Sequence, residues 1–223
     1  MKHMEDERED MRNELIEMWN LVYNQLKDAG DSLLNNDADL AREVTMRERR
    51  VNTFELKIDS DCENYIALYS PVAIDLRCVL ALLRINGALE RIGDFANGIA
   101  RYVLDSYDAQ VDDLLEEIEM REFFNDLKLM LDSTKKVFVS TNTDSLEQLY
   151  AMDDNVHKRY HTALNKIALY INHHTDEAAS CISLAILTRK MERIGDHCSN
   201  IIEDIIFYID AKVIKHEKSV KPQ

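Results

Sequence analysis

The sequence predicts an all-α protein built as two tandem antiparallel three-helix bundles related by internal duplication, and three observations carry that prediction. The 223-residue chain holds only 5 Gly and 2 Pro against 46% hydrophobic and 31% charged residues, so it has apolar mass for a core and few helix breakers. Its apolar residues recur at steps of three and four, the helical period. The pentapeptide Glu90-Arg91-Ile92-Gly93-Asp94 returns as Glu192-Arg193-Ile194-Gly195-Asp196, 102 positions later. At the same offset Asp75 meets Glu177, Leu82 meets Leu184 and Ile99 meets Ile201, so the repeat extends beyond five letters.

Six long helices follow from the pattern. The first is expected over about Glu5 to Leu34, with Met11, Leu15, Met18, Val22, Leu26, Ala29 and Leu33 forming one apolar stripe. Acids in its first turns complement the helix dipole. Asn35-Asn36-Asp37 reads as a turn with Asp37 as N-cap of a second helix, about Ala38 to Tyr69. Leu40, Val44, Val51, Phe54, Ile58, Cys62 and Tyr65 supply its stripe, and Arg47-Glu48-Arg49-Arg50 reads as a solvated face. Ser70-Pro71 ends it, because the residue before Pro avoids helical angles. The third helix carries the first pentapeptide to about Tyr107, where the stripe lapses. A fourth is expected over Asp112 to Ser140, a fifth over Ser145 to Asn172, and a sixth, bearing the second pentapeptide, to about Lys215. The predicted division is one bundle over 1–107, a second over 108–217, and a polar tail over 218–223.

Charge narrows the function. A formal net charge of -15 repels phosphate backbones and argues against nucleic-acid binding, while it suits cations and basic partner surfaces. Cys62, Cys78, Cys181 and Cys198 form no CxxC pair, and three sit in apolar helical runs, which predicts buried free thiols and a reducing compartment. The N-terminus lacks the apolar core of a signal peptide, and no run of about 18 apolar residues is present for a membrane span. A cytoplasmic protein without direct membrane insertion is expected.

Candidate chemistry lies beside the core. Leu89, Ile92, Ala96, Ile99 and Val103, and in the second copy Met191, Ile194, Cys198, Ile201 and Ile205, step by three and four as core stripes. The neighbouring stripe holds Glu90 and Asp94, with Asn97 or Gly98 beyond them, and then Glu192, Asp196, Asn200 and Glu203. An amphipathic helix with acids solvated or paired to Arg91 and Arg193 would account for this much. Gly in a helix interior costs roughly 1 kcal/mol against Ala, so Gly93 and Gly195 suggest a close approach at this face. The preceding helices carry matching pairs, Glu55 with Asp59 and Asp153 with His157. Across antiparallel helices these would oppose four hard ligands per half, a set suited to Mg, Mn, Fe or Zn. His161 can share the face of His157, His197 points elsewhere, His173-His174 reads as a loop, and Trp19 reads as packing.

These motifs resemble the PhoU family of phosphate-uptake regulators. Glu192-Arg193-Ile194-Gly195-Asp196-His197-Cys198-Ser199-Asn200-Ile201 follows the family's E-R-I-G-D-x-x-x-N-I. Pro71-Val72-Ala73-Ile74-Asp75-Leu76-Arg77 resembles its P-x-A-x-D-L-R element, and Met152-Asp153 with Val156 its M-D-x-x-V-D segment. The resemblance spans residues 10 to 215. It implies two three-helix bundles, a homodimer, multinuclear metal clusters on the E-x-x-x-D faces, negative regulation of the phosphate response, and no catalysed reaction. The implied partners are the ATPase subunit of the phosphate ABC transporter and a phosphate-sensing histidine kinase, which would hold the protein at the inner face of the membrane. Gly98 and Arg101 depart from the pattern and predict a first site that binds metal more weakly or is partly neutralised by Arg101. His157 in place of Asp predicts a second site favouring Zn or Fe over Mg.

Two other readings compete. A carboxylate-bridged di-metal oxidase needs Glu-x-x-His on two helices, whereas this chain has no such motif and offers Asp154 and His157 at i,i+3 only once. A ligand-free helical scaffold would use the pentapeptide faces as salt bridges.

Overall fold

The computed structural model describes residues 2–211. The described residues form seven α-helices: α1 (Lys2–Leu34), α2 (Ala38–Tyr69), α3 (Ala73–Asp105), α4 (Asp112–Glu117), α5 (Met120–Ser140), α6 (Leu146–Ile171) and α7 (Ala178–Asp210). Two single 3-10 turns, Ala109–Val111 and Thr175–Glu177, precede α4 and α7. The expected continuation to Lys215 and the tail at Lys218 to Gln223 lie outside the described residues.

The apolar stripe of α1 is buried along its whole length. Asp37 caps α2 by accepting from the Asp39 and Leu40 amides at 3.0 and 2.9 Å, which satisfies two of the free donors at that helix start. At the other end Ser70 adopts a left-handed conformation and its N–H returns to the Ile66 carbonyl, closing the helix before Pro71. Helices α1, α2 and α3 pack on one another as one bundle, and α5, α6 and α7 as the second.

The expected helix over Asp112 to Ser140 is instead two helices. It breaks at Ile118–Glu119, where Glu119 takes φ 57° and ψ 46°. Buried Leu114, Leu115 and Ile118 are followed by buried Met120, Phe123 and Phe124. The step of two from Ile118 to Met120 slips the helical phase, and a continuous helix would turn one of the two stripes outward. Arg159 of α6 holds the break, bonding the Glu119 and Asp126 carboxylates at 2.7 Å each.

The two bundles share one continuous apolar core. Helices α3 and α7 run antiparallel through its centre, with Arg84 meeting Asp204 and Gly98 meeting Lys190. Against α5, α1 places Trp19, whose Nε1 donates to the Leu131 carbonyl at 3.2 Å, and Arg12, which donates to the Phe138 and Val139 carbonyls. Gly30 admits the Phe124 ring, since a Cβ there would stand 2.8 Å from it. All four cysteines are buried free thiols. Among the described residues no helix is long and apolar enough to cross a membrane.

Candidate functional site

Each pentapeptide places its Ile in the core and its acids at a seam with the preceding helix. The glycine is there because of a β-branched side chain opposite. A Cβ on Gly93 would lie 3.2 Å from Val51 Cγ1 of α2, and one on Gly195 would lie 2.8 Å from Val156 Cγ1 of α6. The close approach expected at these glycines is therefore made by valines of the chain itself.

That contact sets the register of both seams. Val51 corresponds to Val156, so the counterpart of Asp153 is Glu48, two turns before Glu55. The expected pairing of Glu55 and Asp59 with Asp153 and His157 is thus out of register by seven residues. Glu48 is buried, contrary to the solvated face expected for Arg47 to Arg50, and its Oε2 accepts from Gln25 Nε2 of α1 at 2.6 Å. The same Gln25 amide reaches the Gly93 carbonyl at 3.4 Å. Arg47 also turns inward, to Asp28 at 2.6 Å. Burial, opposed by the Gln25 hydrogen bond and reinforced by the charges of Asp94 and Glu90, pushes the Glu48 carboxyl up to about 7. The signal for Glu48 lay in the stripe of α2. Val44 and Val51 are seven apart and require an inward residue between them, and the second copy repeats this as Leu149, Asp153 and Val156.

Farther along the first seam, Glu90 and Glu55 are raised mainly by burial, and Arg91 opposes the rise in both. Arg91 stands 3.5 Å from Glu90 and 3.6 Å from Asp94, so it is the counter-charge of this face. Arg101, whose presence predicts a first site that binds metal more weakly or is partly neutralised, lines a groove between α3 and α7. Asp59 accepts from fully buried Asn86 at 2.8 Å, and the same amide donates to the Glu55 carbonyl at 2.9 Å.

The second seam is more open. Asp153, His157, Glu192 and Asp196 line one cavity of about 260 Å³ together with Asp154 and Val156. Four of the five second-half candidates are thereby brought together, whereas Asn200 lines a separate groove between α3 and α7. Buried Glu192 receives Arg189 Nη1 at 2.7 Å and faces His157 Nδ1 at 3.4 Å. His157 Nε2 lies 3.0 Å from His161 Nε2. Arg193, the expected partner of these acids, instead covers the Phe95 ring at 5.9 Å, and Arg189 one turn earlier takes its place.

The donors have the chemistry for hard or borderline cations, with carboxylates in both seams and imidazole in the second. Glu48 Oε1, beside Gln25 in the first seam, is a buried oxygen without a hydrogen-bond partner among the described residues, a lone pair that a cation could take. Among the described residues, no three His, Cys, Asp or Glu side chains converge on one point as they stand.

Comparisons with known proteins agree with this architecture. The PhoU domain matches residues 15–103 and again 120–205. The phosphate-specific transport system accessory protein PhoU of Edwardsiella tarda is 33% identical over 210 residues, covering 94% of this chain and 86% of that protein. Its counterpart in Escherichia coli K12 is 32% identical over 212 residues with the same coverage. The crystal structure of PhoU from Pseudomonas aeruginosa superposes with a TM-score of 0.84 at 29% identity, over 93% of this chain and 99% of that one. The phosphate transport system regulatory protein PhoU from Streptococcus pneumoniae shares the fold, with a TM-score of 0.83 at 20% identity over 95% and 99%. With two copies of its domain over most of the sequence, the chain belongs to the PhoU family.

Proposed function

We propose that this protein is a negative regulator of phosphate uptake and of the phosphate-starvation response. It acts as an adaptor between the ATPase subunit of a phosphate ABC transporter and a phosphate-sensing histidine kinase. The observation carrying this reading is near-full-length similarity to proteins named as accessory to the phosphate-specific transport system. The net charge of -15 suits docking on basic partner surfaces and disfavours nucleic acid. The reading places the protein in the cytoplasm as a homodimer, at the inner face of the membrane through its partners, with no catalysed reaction of its own. Deleting the gene is expected to raise expression of phosphate-starvation genes in phosphate-rich medium, measured with a reporter. Unchanged expression would refute the regulatory role.

Metal ions (Fe, Zn, Mn or Mg) on the two acidic seams are part of the same proposal. Glu48, Glu90 and Asp94, with Glu55 beside them, would hold one site, and Asp153, His157, Glu192 and Asp196 the other. Bound there, a cation supplies positive charge that relieves the repulsion among seam carboxylates and ties α2 to α3 and α6 to α7. The protein is expected to purify with transition metal, and Asp94→Ala combined with Asp196→Ala to remove most of it by elemental analysis. Equal metal content in the double variant would sink this assignment.

A further inference from the structure

The antiparallel contact of α3 with α7 leaves a groove on each side of the central crossing. Moving 102 residues along the chain carries α3 onto α7, so the two grooves are counterparts made by the duplication. One, of about 370 Å³, is lined by Arg84, Ala88, His197, Asn200, Glu203 and Asp204. The other, of about 270 Å³, has Ile186, Lys190, Gly98, Arg101 and Tyr102 at the matching positions, leaving His197 without a counterpart, and adds Ser183 and Ser106. Glu203 has become Arg101, Asp204 has become Tyr102, and Ala88 has become Lys190. Arg84 has become Ile186, so a lining with one cation and two acids in the first groove is matched by one with two cations and the single acid Asp105 in the second.

The substitutions act together. Lys190 lies across α3 at Gly98, where its ammonium meets the Gly98 carbonyl at 3.4 Å, and a Cβ at position 98 would stand 2.7 Å from Nζ and make the end of the lysine shift. The chain has 42 acids for 27 Lys and Arg, yet neither Arg101 nor Lys190 has a carboxylate within ion-pair distance among the described residues. Arg101 is exposed and Lys190 half-buried. The one acid lining the groove is Asp105, exposed at the end of α3.

We propose that this groove binds a small oxyanion of the phosphate class. The Arg101 guanidinium offers paired donors with the geometry of two phosphate oxygens, Lys190 adds a point charge, and the Ser106 hydroxyl adds a neutral donor, while the Ser183 hydroxyl is already given to the Ala179 carbonyl at 3.1 Å. The site stands apart from both acidic seams. Binding and gene regulation are read separately, so either proposal can fail alone.

The test titrates the full chain with inorganic phosphate at constant ionic strength, by calorimetry and by NMR shifts of α3 and α7 amides. Saturable binding is expected, weakened roughly tenfold or more by Arg101→Glu and by Lys190→Ala. Gly98→Asn, which adopts the residue of the other groove and displaces Lys190, is expected to weaken it as well, while Glu203→Gln leaves it unchanged. Thermal unfolding identifies any variant that fails to fold, and the exposed Arg101 and half-buried Lys190 provide independent arms. A phosphomonoester such as glycerol 3-phosphate that saturates the same amides where inorganic phosphate does not supports the site with an esterified ligand. Absence of saturation by either probe, equal saturation by chloride, or binding indifferent to both charge variants overturns it.

Discussion

The two pentapeptide seams share five identical letters and behave as different chemical environments. In the first, α1 inserts Gln25 beneath the seam, and its amide holds the buried Glu48 carboxylate against the Gly93 backbone. In the second, α6 presents the smaller Asp153 and the exposed His157 to a cavity, with Arg189 standing over Glu192. A motif on one helix specifies which side chains face a seam. The charge state and openness of that seam come from the helices opposite, which diverged after duplication.

The largest way to break the difference is Gln25→Leu. It strips the buried Glu48 carboxylate of its donor and is expected to cost about 2–3 kcal/mol at pH 8 and less at pH 5, where Glu48 is protonated. Urea unfolding at the two pH values measures this; equal losses would show that the hydrogen bond does not depend on the charge of Glu48.

The glycines come next. Alanine gains about 1 kcal/mol of helix propensity at either position. At Gly195 its Cβ would press into Val156 at 2.8 Å, at a cost of about 1–3 kcal/mol in a packed interior. Gly195→Ala is therefore expected to destabilise by up to about 2 kcal/mol, and Gly93→Ala, at 3.2 Å from Val51, to stay within about 1 kcal/mol of the parent. The reverse ranking in chemical denaturation would mean that the Val51 contact is the tighter one.

A further effect should appear as a slope. Glu48 titrates at about 7 in the folded protein against an ordinary 4.5, so the folded state keeps the proton longer than the unfolded one. Its contribution to stability is full below 4.5, falls as pH rises towards 7 and is constant above that. Glu48→Gln should flatten that fall in metal-free protein, and an unaltered slope would assign it to Glu55 and Glu90, which are also raised. Smallest of all, His157→Ala should change stability by less than about 0.5 kcal/mol, because the side chain is 60% exposed.

Much of this was legible in the residues. Burial of the α1 stripe, the Asp37 cap and the core positions of α3 and α7 follow from periodicity and local hydrogen bonding, which are properties of one helix at a time. The break at Glu119 was legible too, as a two-residue step between Ile118 and Met120, but only once Met120 and Phe123 are counted in the stripe. Glu48 was hidden by its neighbours, because two of the three arginines around it are exposed and the run reads as solvated.

The sequence alone determined that the chain is helical, that it is duplicated, and that each half sets an acidic pair beside a core stripe. Those facts depend on spacing along a single helix, where a period of 3.6 residues translates order into direction. The tertiary structure decided that Glu48 rather than Glu55 is the counterpart of Asp153, that Arg189 rather than Arg193 is the counter-charge of the second seam, and that Arg101 and Lys190 line one groove. These depend on axial register between helices. Contacts such as Val51 against Gly93 and Val156 against Gly195 set that register, and a shift of two turns would leave each helix's own pattern unchanged.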